Sequence, residues 1–127
     1  MSSRAAALIA IAIGGAIGAL GRAGLGSALP AGRWPIATLL ANIAGTVLLA
    51  VLAALIAFRP RLPGWLHPLV AVGFCGSLTT FSAMQVEALV LMRAGMSADA
   101  VAYVTTSVVL GLIAAVAARR AVQVATR

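Results

Sequence analysis

From Gly73 to Glu87 the chain reads GFCGSLTTFSAMQVE, which sets Ser77, Thr79, Thr80, Ser82, Gln85 and Glu87 among apolar residues. Hydroxyls and amides in such density can hold a small solute by hydrogen bonds, since each hydroxyl supplies one donor and each amide two. Thr38, Asn42 and Thr46 repeat every four residues, as do Tyr103, Ser107 and Gly111, the latter with Thr105 and Thr106 alongside. That spacing gathers each series on one face of a helix. Both series also fit plainer roles: Asn tying helices together in lipid, and hydroxyls bonding back to their own helix.

Enzyme chemistry is not assembled anywhere. The two carboxylates, Glu87 and Asp99, stand twelve residues apart, no nucleophile has a base beside it, and the one histidine, His67, sits next to Pro68 at the edge of an apolar block. A lone cysteine, Cys75, excludes an intramolecular disulfide and reads as a small structural residue.

The elements that position these groups are set by composition. The 127 residues are 63% hydrophobic and 9% charged, with a mean hydropathy of +1.13; these values belong to a membrane protein. Apolar blocks long enough to cross a bilayer run over residues 5–29, 36–58, 66–92 and 100–118. The first is too long and rich in small residues for a cleaved signal and reads as a permanent span. The whole chain, 1–127, is expected to be a single four-span membrane domain.

The net charge of +7 comes from nine arginines (Arg4, Arg22, Arg33, Arg59, Arg61, Arg93, Arg119, Arg120 and Arg127) without lysine. They lie at span ends and form no basic face, so they read as boundary residues against lipid phosphates, and nucleic acid is not a partner. Six arginines fall on the side of the termini and three on the other, a weak positive-inside bias that leaves dual topology open. Trp34 and Trp65, next to span starts, read as interfacial anchors.

Within the spans, Gly14, Gly18 and Arg22 lie four apart, and Gly15 and Ala19 repeat that spacing. Such a stripe lets helix backbones approach closely in lipid. Arg22 either snorkels to the interface or points into a wet vestibule. Asn42 lies about 9 Å down the second span at 1.5 Å per residue and needs a partner there. The third span would measure about 40 Å as an unbroken helix against about 30 Å of hydrocarbon. Gly76 to Thr80 is the expected interruption near its centre, a feature tolerated only where freed backbone groups find partners. Glu87, near the exit, is expected to hydrogen-bond across a helix interface.

The segments GFCGSLTTFSAM and ANIAG, with GALGRAGLG ending span one and WPIATLLAN opening span two, resemble the Fluc/CrcB family of fluoride channels, whose third span carries a pattern like GxxGxxTTFSTF. The resemblance covers essentially the whole chain. It implies an all-α membrane protein with the third helix broken near the midplane, paired as an antiparallel dual-topology homodimer in the bacterial plasma (inner) membrane. Fluoride would pass down two pores, and a structural sodium ion would sit at the dimer interface on the main-chain carbonyls of Gly76 and Thr79. Phe81, Asn42, Met84, Ser107, Tyr103, Thr80 and Ser82 would line the fluoride pore, with Arg22 and Thr38 toward the vestibule. Met84 stands where the family pattern usually has a second phenylalanine, and Gly111 where a further hydroxyl is expected. These departures keep open one half of a heterodimeric channel. A proton-coupled exporter resembling the small multidrug transporters is the rival reading, although it needs a carboxylate in span one, which is absent. A non-transporting membrane assembly subunit is the third.

Overall fold

Ala- and Leu-rich segments without internal proline form the long helices of the computed structural model, which describes residues 3–29, 32–58 and 62–126. Pro30 and three of the boundary arginines, Arg59, Arg61 and Arg127, lie outside the described residues. In chain order the elements are α1 (Ser3–Ala28), α2 (Ile36–Phe58), a π-helix (Pro68–Cys75), α3 (Gly76–Leu78), α4 (Phe81–Arg93) and α5 (Ser97–Ala125). The described residues contain no strand. Four stretches are long and apolar enough to cross a membrane: Arg4–Ala28, Ile36–Phe58, Pro68–Arg93 and Ser97–Ala125.

The first two spans start and stop close to where hydropathy puts them. The fourth does not. Its apolar signal ends at Ala118, yet α5 continues to Ala125. Arg119 and Arg120 end the hydropathy but not the helix, because arginine is a good helix former and no glycine or proline follows. At 29 residues, α5 is about 43 Å long and outruns the hydrocarbon core.

The third span corrects the expected interruption. Gly76 is helical, with φ −61° and ψ −29°, and Gly76–Leu78 forms a helical turn. Only Thr79 (φ −81°, ψ 152°) and Thr80 (φ −152°, ψ 122°) are extended. β-Branched residues suit that conformation, and their hydroxyls hold both ends of it. Thr79 Oγ1 donates to Cys75 O at 2.8 Å, and Thr80 Oγ1 accepts from Ala83 N–H at 3.2 Å as the N-cap of α4. At its other end α4 stops in a turn through Gly95, whose φ of +78° favours glycine.

The glycine stripe of α1 packs against the π-helix. A Cβ at Gly14 would fall on Leu69 O and one at Gly18 on Phe74 O, while one at Gly73 would come within 2.6 Å of Ile11 O. The two backbones thus touch directly. α1 runs along the first half of the third span, α5 packs against α4, and α2 lies mainly along α5. A small core of Leu39, Met84, Leu91, Ala100 and Tyr103 joins α2, α4 and α5. Large apolar side chains elsewhere point outward, among them Leu8, Leu20, Leu112 and Val124, as expected of surfaces that meet lipid or another apolar partner.

Candidate functional site

Extended backbone inside a membrane span leaves amides and carbonyls without helical partners, and those groups need others. At Thr80 the partner is Asn42 of α2. Its Oδ1 accepts from Thr80 N–H at 2.7 Å, and its Nδ2 donates to Thr80 O at 3.0 Å. One amide side chain satisfies both main-chain groups of one residue, as a neighbouring strand would. The second N–H of Asn42 makes no hydrogen bond among the described residues. Gly45, one turn from Asn42 toward the C-terminus, lets α2 approach: a Cβ there would fall on Thr79 Cγ2.

Around this clamp lies a cavity of about 350 Å³, bordered by Asn42, Thr46, Gly76, Thr79, Thr80 and Phe81 among others. Phe81 is 68% exposed, an unusual position for a ring in the middle of a span. Thr46 and Thr79, which border it, and Ser107 on α5, which does not, have committed their only hydroxyl proton to their own helix. Thr46 Oγ1 donates to Asn42 O at 2.7 Å, Thr79 to Cys75 O, and Ser107 Oγ to Tyr103 O at 2.8 Å. Thr80 and Ser82 share a contact of 3.3 Å between hydroxyl oxygens.

A second polar cluster is built on Glu87. Its Oε1 accepts from Thr38 Oγ1 at 2.6 Å and its Oε2 from Tyr103 OH at 2.7 Å. One carboxyl group therefore ties α4 to α2 and α5, with each oxygen meeting one hydroxyl. The Tyr103 side chain is fully buried.

Of the residues singled out in the sequence, Asn42, Thr80, Phe81, Gly76 and Thr79 share the cavity, whereas Thr38 and Tyr103 meet at Glu87. Ser82 is exposed beside Thr80. Met84 does not reach the cavity within this chain. It is 6% exposed and fills the core against Leu39, Leu91, Ala100 and Tyr103. Phe81 opens α4 at its exposed edge, whereas Met84, one turn on, is covered by residues of α2 and α5. Arg22 is exposed and makes no side-chain hydrogen bond among the described residues.

Residues 9–119 match the family described as CrcB-like protein, Camphor Resistance (CrcB). The chain belongs to the CrcB family. A relative from Geobacillus kaustophilus (strain HTA426), named Fluoride-specific ion channel FluC 2, is 42% identical over 118 residues, 91% of this chain and 92% of its own length. Fluoride-specific ion channel FluC 1 of Mycobacterium bovis (strain ATCC BAA-935 / AF2122/97) is 41% identical over 84% of this chain and 83% of its own. Fluoride-specific ion channel FluC of Bordetella pertussis (strain Tohama I / ATCC BAA-589 / NCTC 13251) is 42% identical over 78% of this chain and 77% of its own. With four spans, this CrcB chain is a multi-pass bacterial membrane protein.

Three residues of this CrcB chain make contacts that their place in the sequence does not reveal. Glu87 was expected to bond across helices but not to be the hub of the Thr38 and Tyr103 hydroxyls. Arg33 and Trp34 read from sequence only as boundary residues, yet both donate to Asp99 at the start of α5. The available signal was scarcity, since a chain with two carboxylates must place each with a purpose.

Glu87→Leu is expected to lower the thermal midpoint of the purified protein sharply. It strands two hydroxyls, at about 1–3 kcal/mol for each one left unsatisfied. Glu87→Gln, which still offers one acceptor, should retain most of the stability. Equal midpoints for the two variants would count against the hub.

Proposed function

We propose that the chain is a fluoride-selective channel that lets cytoplasmic fluoride leave passively, reducing its toxicity. It moves an ion and transforms no substrate. The observation that carries the reading is the match over nine-tenths of the chain to a relative named as a fluoride-specific ion channel. Membership of the CrcB family displaces the multidrug-exporter and assembly-subunit readings.

The cavity chemistry suits the ion. Fluoride is small and strongly hydrated, so a path must replace its water with close donors. The free N–H of Asn42 and the one proton left over by the Thr80–Ser82 hydroxyl contact are donors still available at the cavity, because Thr46 and Thr79 donate to their own helices. The Phe81 ring adds a positive edge that an anion approaches in plane.

The cavity is open on one side of a single chain, and Phe81 stands exposed there. Both features support an antiparallel homodimer in which a second copy closes the path. Met84, the residue that raised the heterodimer reading, is occupied in its own core, which also favours identical subunits. In this reading Thr79 and Thr80 mark a break of the third helix near the midplane.

A structural sodium ion fits the same place. In an unbroken helix the Gly76 carbonyl would accept from Thr80 N–H four residues on, but that N–H is held by Asn42. The Gly76 carbonyl loses its helical donor, and the Thr79 carbonyl belongs to an extended residue. Gly76 and Thr79 would hold the cation through these oxygens, and sodium would supply fixed positive charge where two chains meet.

Proteoliposomes loaded with fluoride should empty quickly when they contain this chain alone, while chloride-loaded ones hold their content. Chloride efflux at an equal rate would sink the reading. Phe81→Ile should stop fluoride efflux in a protein that elutes as wild type does, and an unchanged rate would remove Phe81 from the path.

A further inference from the structure

Asp99 lies in the first turn of α5, four residues before Tyr103 and on the same helix face. Its two oxygens have separate tasks. Oδ2 takes the Arg33 guanidinium through Nε, at 3.1 Å, and through Nη2. Oδ1 accepts from the indole Nε1–H of Trp34 at 3.2 Å. The Asp99 side chain is 16% exposed and that of Arg33 71%, so the pair spans the boundary between solvent and protein.

Trp34 connects this clasp to the interior. Its ring meets that of Tyr103 edge to face, with centroids 6.1 Å apart and planes at 70°, a favoured geometry for aromatic pairs. Tyr103 in turn presents its hydroxyl to Glu87, which also holds Thr38. An unbroken series of contacts runs from Asp99 through Trp34 and Tyr103 to the Glu87 cluster.

We infer that Asp99 is a positioning residue for the Thr38–Glu87–Tyr103 cluster, which the fluoride-channel reading sets along the ion's path beside the cavity: it fixes the Trp34 indole so that the indole sets the Tyr103 ring and aims its hydroxyl at Glu87. Arg33 orients the Asp99 carboxylate so that one oxygen remains aimed at the indole. The geometry explains why the connection between α1 and α2 is tied to α5 by a carboxylate in a chain that has only two. A surface ion pair alone contributes little to stability, whereas a hydrogen bond that orients a ring acts on whatever that ring supports.

The inference rests on the fluoride-channel reading, and the test separates the two. Fluoride efflux is measured from liposomes containing wild-type chain, Asp99→Ala, Asp99→Asn, Trp34→Phe, Tyr103→Phe and the Asp99→Ala/Tyr103→Phe double variant. Asp99→Ala and Trp34→Phe should each slow efflux about tenfold, equivalent to about 1.4 kcal/mol. Asp99→Asn, whose single amide oxygen accepts from the indole only with its NH2 turned toward Arg33, should give a rate between those of Asp99→Ala and wild type. The double variant should be no slower than Tyr103→Phe alone, since residues acting through one another are not additive. An unchanged rate in Asp99→Ala, or a full multiplication of the two losses in the double variant, overturns the inference. Should Asp99→Ala fail to fold, Trp34→Phe carries the same test, because it keeps the aromatic contact and loses only the N–H donor.

If wild-type chain passes no fluoride, the channel reading fails, and near-ultraviolet circular dichroism then decides the inference. In a Trp65→Phe background the Trp34 band should weaken with Asp99→Ala and persist with Asp99→Asn. A band unaffected by either substitution overturns the proposed link.

Discussion

Asn42→Asp is expected to reduce fluoride efflux at least about a hundredfold, a change of about 2.8 kcal/mol, in a protein that still elutes as wild type does. The substitution preserves shape and removes donors. The Asn42 amide accepts from Thr80 N–H and donates to Thr80 O; an ionised carboxylate can do only the first. It sets a second acceptor against the Thr80 carbonyl, leaves that carbonyl short of a partner at about 1–3 kcal/mol, and brings negative charge to the cavity that an anion must use. Removal of the remaining N–H also takes away a donor beside the cavity. Efflux from the Asp variant within tenfold of wild type would show that the clamp is not needed for permeation.

Gly18→Ala is expected to destabilise the protein by about 1–3 kcal/mol, the range for overpacking a well-fitted contact, and Gly14→Ala by a similar amount. In each case the new methyl falls on a main-chain carbonyl, Phe74 O for Gly18 and Leu69 O for Gly14. A carbonyl within a helix cannot swing aside as a flexible side chain does, so α1 and the π-helix must separate. Gly24 supplies the control, since nothing lies within 4 Å of a Cβ built there. Gly24→Ala should hold or raise the thermal midpoint, because alanine relieves glycine's conformational cost inside a helix by about 0.5–1 kcal/mol. Similar midpoints for Gly18→Ala and Gly24→Ala would contradict the close backbone contact.

The pattern of what could be read in advance follows the range of the forces involved. Span number and placement depend on local hydropathy, and Ile36–Phe58 lies where that signal puts it. The same signal stopped too early in α5, because hydropathy reports where lipid ends and not where a helix ends. Polar residues inside spans were visible as anomalies, and the glycine stripe as a packing device. The excess length of the third span points to Gly76–Thr80, near its centre, as the expected interruption. Of these residues Thr79 and Thr80 are the extended ones, and their hydroxyls and a partner on α2 stabilise that conformation.

Sequence by itself determined that this chain crosses a membrane in four helices, which polar residues lie at depth, and which family its motifs resemble. Each of these follows from residue type and spacing along one chain. Tertiary structure alone decided the pairings. Asn42 meets Thr80 across 38 positions, Glu87 gathers Thr38 from 49 positions away, and Asp99 reaches Arg33 across 66. It also separated Phe81 from Met84, exposing one and burying the other. A hydrogen bond or a buried face requires two elements to arrive together, and their distance in space is not written in their distance along the chain.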